Sequence, residues 1–203
     1  GFVRGDQYAI ALALIEDGVP QLGARCCPYL PPDLSQENPE TRGQAFLAVR
    51  GEGTLQRSLR DESVATPIQV SDTTNPAQCR FTESFVSSHS SHDLAVEVAE
   101  RLGITTDPFR LDSQAKYAAV ATGNADIYLR LARRGTSDTE RIWDHGAGAL
   151  AVEAAGGTVT DMCGNPLDFS HGPLLKSNTG VVATNGAVHD EVIGALQACR
   201  FAL

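Results

Sequence analysis

The 203-residue chain contains no apolar run approaching the ~20 residues that a membrane span needs. Its opening residues, GFVRGDQ, lack an initiator Met and the apolar core of a secretory signal. These absences argue against a membrane partner and point to a cytoplasmic or nuclear protein, or a cut one. Basic charge is also short: 16 Lys and Arg face 25 Asp and Glu, for a net charge of −9. Polymeric nucleic acid is thereby excluded as a non-specific partner, since binding it requires a basic surface that displaces counterions. Any phosphate-bearing ligand must be small and locally recognised. Cysteines are few and unpatterned. The five (Cys26, Cys27, Cys79, Cys163, Cys199) are odd in number, include one adjacent pair and form no Cys-x-x-Cys, so neither a disulfide framework nor a zinc site is expected. No internal repeat or low-complexity segment occurs. With 42% hydrophobic residues the chain can bury one good core, or one complete domain plus part of another.

The patterning divides the chain near Cys79. In residues 1–80, QYAIALALIE, the turn Asp17-Gly18 and VPQLGARC read as a hairpin whose nearly continuous apolar run predicts burial on both faces. After a Pro-rich polar loop, AFLAVRGEGTLQRS predicts a second hairpin around Gly51-Glu52-Gly53, with one more strand at Pro67 to Val70. In residues 81–203 strands alternate with helices, the signal for crossover units on a mostly parallel sheet. Strands are expected at Ser84–Val86, Phe109–Leu111, Ala125–Leu131, Thr158–Asp161 and Gly180–Thr184. Helices are expected over Asp93–Leu102, from a cap at Asp112 or Ser113 through Thr122, and over His189–Cys199.

The stretch IWDHGAGALAVEAAGGTVTD, Ile142 to Asp161, organises this second half. Ala147, Leu150, Ala151 and Ala154 recur at helical spacing and Gly156-Gly157 supplies a stop. That places Asp144 at the N-cap. Gly146 and Gly148 in the first turn would let a ligand approach main-chain donors and the positive end of the helix dipole. On spacing alone an Asp before a helix is an ordinary cap. Three loops add candidates: SSHSSHD (Ser87 to Asp93), LDSQAKY (Leu111 to Tyr117) and the end of ADIYLRL, where Arg130 leaves its strand. In an open α/β sheet, ligands bind outside strand ends where loops enter helices. Singly, each candidate has a plain structural reading as a cap, a solvated Lys or a structural His.

Taken together and in order, HSSHD, LDSQAKY, ADIYLRL, ERIWDHGAG and PLDFSHG resemble the inositol-monophosphatase-like, lithium-sensitive phosphatases, in particular their 3'(2'),5'-bisphosphate nucleotidase branch. The resemblance covers essentially the whole chain, including GFVRGDQYAIALALIEDGVPQLG. It implies a layered α-β-α-β-α sugar-phosphatase fold of the α/β class, here without its N-terminal helices and first strands. It also implies a Mg2+-dependent hydrolase that removes the 3'-phosphate of adenosine 3',5'-bisphosphate, and of its sulfated relative, to give AMP, a reaction tied to sulfate assimilation. The partner is then a small nucleotide bisphosphate. Residue by residue, the resemblance makes His89, Ser113, Lys116 and Arg130 the holders of the adenosine and the retained phosphate. Asp144 becomes a magnesium ligand near substrate and the one catalytic group carried over. The residue types suit those tasks: Lys and Arg give charge-assisted bonds to phosphate, and Asp gives the hard oxygen that magnesium prefers.

The resemblance also implies that a DPIDGT stretch, with two metal-binding aspartates and a Thr, lies just before the residues matching Gly1-Phe2. A further Glu and a more N-terminal Asp would lie upstream. Of the metal set only Asp144 falls in this chain, so these residues alone are expected to be inactive and to expose strand edges and apolar faces. Two other expectations stand beside the nucleotidase: an inositol or sugar bisphosphate phosphatase, against which the contexts of Lys116 and Arg130 speak, and a non-catalytic nucleotide-binding module. The loop ARRGTSDTER before Ile142 departs from the branch's pattern, Glu140 and Arg141 keeping part of it.

Overall fold

Residues 2–5, 7–34, 41–61, 63–84, 92–132 and 139–201 are described by a computed structural model of the chain. The first sheet is an antiparallel meander in the order β1 (Ile10–Glu16), β2 (Val19–Cys27), β3 (Gln44–Val49), β4 (Gly53–Ser58) and β5 (Ala65–Ile68). Asp17 and Gly18 turn β1 into β2 with φ values of 50° and 76°, the paired positive dihedrals that match the twist of a two-residue hairpin. The second turn falls at Gly51-Glu52-Gly53 as the sequence predicts. β5 carries Pro67 at the edge of the sheet, where a residue without an N–H can be tolerated.

The hairpin is not buried on both faces. Ile10, Leu12 and Leu14 are 60%, 68% and 50% exposed, while the alternate residues of β1 turn towards a helix. The outer row continues through Leu22, Leu47 and Leu55, all partly exposed. The strand registers align Leu14 with Leu22 and Leu47 with Leu55. Side chains along a strand alternate between the two faces, and among the described residues α3 covers one of them, so the apolar row on the other is exposed, as expected for these residues alone.

The second sheet has the order β7-β6-β8-β10-β9, with β6 (Phe81–Glu83), β7 (Phe109–Arg110), β8 (Ile127–Arg130), β9 (Thr158–Thr160) and β10 (Val181–Thr184). Strand β6 lies just before the Ser84–Val86 expected from sequence: Thr82 is buried and pairs with Tyr128, whereas Ser84 is already outside the strand. Helices α1 (His92–Leu102), α2 (Ala115–Ala121) and α3 (Ile142–Ala154) are the crossovers, and α4 (His189–Phe201) closes the chain. The sheet is mixed rather than mostly parallel. β6 pairs in parallel with β7 and β8, but β10 enters between β8 and β9 antiparallel to both. The reason is connectivity: a helix carries the chain over between like-directed strands, whereas β9 reaches β10 through a segment without one.

The layers follow from alternation along β8. Ile127 and Leu129 pack with Leu94, Val98, Val192 and Leu196 of α1 and α4. Tyr128 points the other way, into a cluster with Tyr117, Ala149 and Val152 of α2 and α3. Helix α3 lies between the sheets, touching β1 to β4 on one side and β9 and β10 on the other. Its small residues permit this. A Cβ on Gly23 of β2 would sit 3.1 Å from the carbonyl of Ala147. One charge is locked in this layer: Arg25 of β2 is fully buried with its guanidinium over the rings of Phe46 and Tyr117, at 5.4 and 5.9 Å. Its nitrogens have no hydrogen-bond partner among the described residues.

Candidate active site

One cleft collects most of the residues singled out from sequence. Its walls include Ser113 and Lys116 at the start of α2, Arg130 at the end of β8 and Asp144 in the first turn of α3, with Ser84, Asp112, Tyr128, Glu140 and His145 between them. A second, more apolar cavity shares Ser84, Lys116, Tyr128 and Arg130 and extends between β6 and α1, past Ala95, Val96, Ile104 and Pro108. His89 lies outside the described residues, as does most of the 132–141 loop.

Asp144 is not an N-cap. Helix α3 begins at Ile142 with Arg141 as its cap residue, so Asp144 is third in the first turn and its N–H donates to the Arg141 carbonyl. The cause lies outside the helix. Arg141 bridges Leu174, Ile142 N–H donates to Pro173 O, and Leu175 N–H donates to Glu140 O. The backbone is held extended up to Arg141 and released into the helix one residue later. The exposed Asp144 carboxylate still benefits from the helix dipole there.

Gly146 and Gly148 do not open the first turn to a ligand. A Cβ on Gly148 would lie 2.3 Å from Cδ2 of Tyr117, and one on Gly146 would meet Ala13, Ile15 and Phe169. Gly148 lets α3 press against α2, whereas a Cβ on Gly146 would only make ordinary contacts with β1 and Phe169. Gly148→Ala is therefore expected to destabilise the protein by about 1–3 kcal/mol through overpacking. Gly194→Ala in α4, with nothing within 4 Å, should stabilise it by about 0.5–1 kcal/mol. Urea midpoints at unchanged slope measure both; a silent Gly148→Ala would contradict the packing described.

Lys116 is almost wholly buried, and its ammonium donates to Ser84 Oγ at 3.0 Å, Ser113 O at 2.9 Å and Leu111 O at 3.4 Å. Its three donor directions are thus taken by the cleft wall, and its charge reaches a ligand through space. Ser113, held by this bond, adopts φ 62°, unusual for a residue with a side chain. It is Gln114 that caps α2, without a side-chain capping bond, its Nε2 donating instead to Trp143 O at 3.0 Å, while Ser113 Oγ accepts weakly from Ala115 N–H.

Burial lowers the Lys116 ammonium to about 8, with Asp112 opposing the shift and Arg130 adding to it. An anion bound nearby favours the charged form. Affinity of the cleft for inorganic phosphate should therefore fall from pH 7 to pH 9 as Lys116 deprotonates, with proton uptake on binding near pH 8. The folding linkage has the opposite sense. The unfolded chain holds more protons between about 8 and 10.5, so this group's contribution makes the fold more stable as pH rises through that window. Calorimetry in buffers of different ionisation enthalpy reads the proton uptake, and its absence would remove Lys116 from the ligand's field.

Two wall residues that the sequence did not single out, Glu140 and His145, are joined by Tyr117, which is buried behind them. Arg130 Nε donates to Glu140 Oε1 at 2.9 Å, His145 Nε2 lies 3.1 Å from Glu140 Oε2, and Tyr117 Oη lies 2.7 Å from His145 Nδ1. A carboxylate only accepts, so the Nε2 of His145 donates to Glu140; in the tautomer with its single proton there, Nδ1 accepts from the Tyr117 hydroxyl. Burial keeps the Tyr117 phenol protonated. Burial alone would raise the Glu140 carboxyl, but His145 and Arg130 outweigh it and hold it below the usual carboxylate range. Nothing in the sequence marks the contact of Tyr117 with His145, 28 positions apart. Glu140 and His145 flank Asp144 in the motif but have no spacing rule of their own.

Comparison with known proteins adds to this geometry. Residues 1–200 match the model of the inositol monophosphatase family. A 3'(2'),5'-bisphosphate nucleotidase of Schizosaccharomyces pombe is 47% identical over 200 residues, 98% of this chain and 56% of the relative. One of Dictyostelium discoideum is 42% identical over 197 residues, 97% of this chain and 58% of the relative. The chain thus spans somewhat over half the length of these curated relatives. An inositol monophosphatase from Anabaena superposes with a TM-score of 0.68 at 23% identity, covering 97% of this chain and 68% of that one, which establishes the shared fold. The chain belongs to the inositol monophosphatase family.

Proposed function

We propose that this member of the inositol monophosphatase family is part of a magnesium-dependent 3'(2'),5'-bisphosphate nucleotidase, which removes the 3'-phosphate of adenosine 3',5'-bisphosphate or its sulfated relative and leaves AMP. The observation that carries this reading is the shared wall of the two cavities. A cleft lined by Lys116, Arg130, Ser113 and Asp144 adjoins an apolar recess lined by Ala95, Val96 and Ile104. Cationic side chains for one phosphate, a carboxylate that would hold a metal for the other, and an apolar slot for a base together suit a nucleotide bisphosphate. Relatives named for this activity are over 40% identical to the chain across the aligned residues, and members of the family act on small phosphate-bearing molecules and are generally metal-dependent.

Arg130 presents its terminal nitrogens to the retained phosphate, because its Nε is engaged by Glu140. Ser113 offers a hydroxyl, and Lys116 supplies charge from behind the wall. Asp144 offers an exposed hard oxygen suited to magnesium. When bound, magnesium supplies water activation and charge neutralisation for ester cleavage. A complete site needs more oxygens than the described residues bring to Asp144, since no group of three or more candidate ligands occurs among them.

That same observation favours a second reading, a nucleotide-binding module without catalysis. The experiment is phosphate release by the protein as its gene encodes it, with magnesium or with a chelator, from adenosine 3',5'-bisphosphate, inositol 1,4-bisphosphate and fructose 1,6-bisphosphate. Metal-dependent formation of AMP, favoured over the sugar substrates, is expected. Binding of AMP without any turnover would establish the module reading instead, and preference for a sugar bisphosphate would overturn the nucleotide assignment.

A further inference from the structure

We propose that Glu140 is a positioning residue that sets the protein's selectivity for a substrate carrying a second phosphate, by fixing the guanidinium of Arg130. The inference rests on the reading of Arg130 as the contact to the retained phosphate. Both carboxylate oxygens of Glu140 are used, one by Arg130 Nε at 2.9 Å and the other by His145 Nε2 at 3.1 Å. The side chain is 14% exposed, so these bonds are shielded and strong compared with a surface pair.

Glu140 is itself held at both ends. Its carbonyl accepts from Leu175 N–H, and the next residues are clamped to Pro173 and Leu174. The carboxylate therefore projects from a backbone pinned to residues 173–175. On the far side His145 is buried in α3 and takes the Tyr117 hydroxyl on Nδ1. Tyr117 in turn fills the space left by Gly148. Arg130, a long side chain at a strand end, is thus tied through Glu140 to the packed contact between α2 and α3. Its Nε is fully spoken for. Only the terminal nitrogens remain to point into the cleft, and their direction is fixed by the Glu140 carboxylate plane.

A purely structural ion pair would lower stability without changing which substrate is preferred. A positioning role changes preference. The test is the ratio of kcat/KM for adenosine 3',5'-bisphosphate to that for adenosine 3'-monophosphate, measured on the encoded protein and on Arg130→Ala, Glu140→Ala, Glu140→Gln and the Arg130→Ala/Glu140→Ala double variant. Glu140→Ala is expected to lower the ratio by about 10-fold or more, mostly through KM for the bisphosphate. In the Arg130→Ala background the same change should alter the ratio by less than about twofold, because its target is gone.

Glu140→Gln keeps the volume and an oxygen for Arg130 Nε but sets an amide N–H against His145 Nε2–H. It should give an intermediate ratio, and it serves if the alanine variant fails to fold. A ratio at the parent level in Glu140→Gln, or in a folded Glu140→Ala, while Arg130→Ala collapses it, overturns the role of Glu140. An unchanged ratio in Arg130→Ala overturns the phosphate assignment itself, a distinct failure.

Discussion

Asn in place of Asp144 is expected to slow metal-dependent phosphate release on the order of 100-fold or more and to move the melting temperature by no more than about 2–4 °C. The two readings of this carboxylate separate cleanly. As a first-turn acid it is worth about 0.3–1 kcal/mol through the helix dipole, and it is not the cap residue, so no capping bond is lost. As a metal ligand it contributes a formal charge to a site that needs several, and a neutral amide cannot replace it. The side chain is exposed on the cleft wall, so neither cavity nor overpacking accompanies the exchange. Ordinary turnover in the Asn variant, measured by phosphate release at saturating magnesium, would return Asp144 to a structural role.

Arg130→Ala is the second large effect. Loss of a charged hydrogen-bond partner for phosphate should cost roughly 2–4 kcal/mol, or about 30-fold to 1,000-fold in affinity for the bisphosphate. Affinity should suffer more than turnover, because the retained phosphate is bound alike before and during cleavage of the other. The change also strips Glu140 of one of its two partners, leaving a largely buried carboxylate on His145 alone, so some stability is lost as well. Arg130→Lys separates the two. It keeps the charge but not the planar fork, and should recover part of the stability and little of the selectivity. If Arg130→Ala leaves a preference for the bisphosphate over adenosine 3'-monophosphate intact, Arg130 does not hold the second phosphate.

Local signals carried much of the fold. Asp17-Gly18 and Gly51-Glu52-Gly53 specify their turns by backbone chemistry alone. The 3.6-residue periodicity of α1 and the glycine after it, at φ 70°, mark a helix and its end. What local signals could not carry was set by distant partners. The reversed β10 depends on which strands leave room between β8 and β9, and the entry of α3 depends on the clamp at residues 173–175. Gly146 and Gly148 are ambiguous in sequence, since a glycine that admits a ligand and one that admits a tyrosine ring look alike.

The site divides in the same way. Ser113, Lys116, Arg130 and Asp144 could be named from their motifs and line one cleft, but how each acts could not. Lys116 spends its hydrogen bonds on Ser84, Ser113 and Leu111. The Glu140, His145 and Tyr117 chain is built from contacts between three elements. Buried networks of this kind escape sequence reading because their members are ordinary residues until folding brings them together.

The most direct measurement is a crystal structure of the encoded protein with adenosine 3',5'-bisphosphate and a chelator to prevent turnover. One phosphate is expected within hydrogen-bond reach of the terminal nitrogens of Arg130 and of Ser113, with the base in the recess beside Ala95 and Val96. A ligand lying in the cleft with neither phosphate at Arg130, or bound outside the cleft, would contradict the assignment of this wall to a nucleotide bisphosphate.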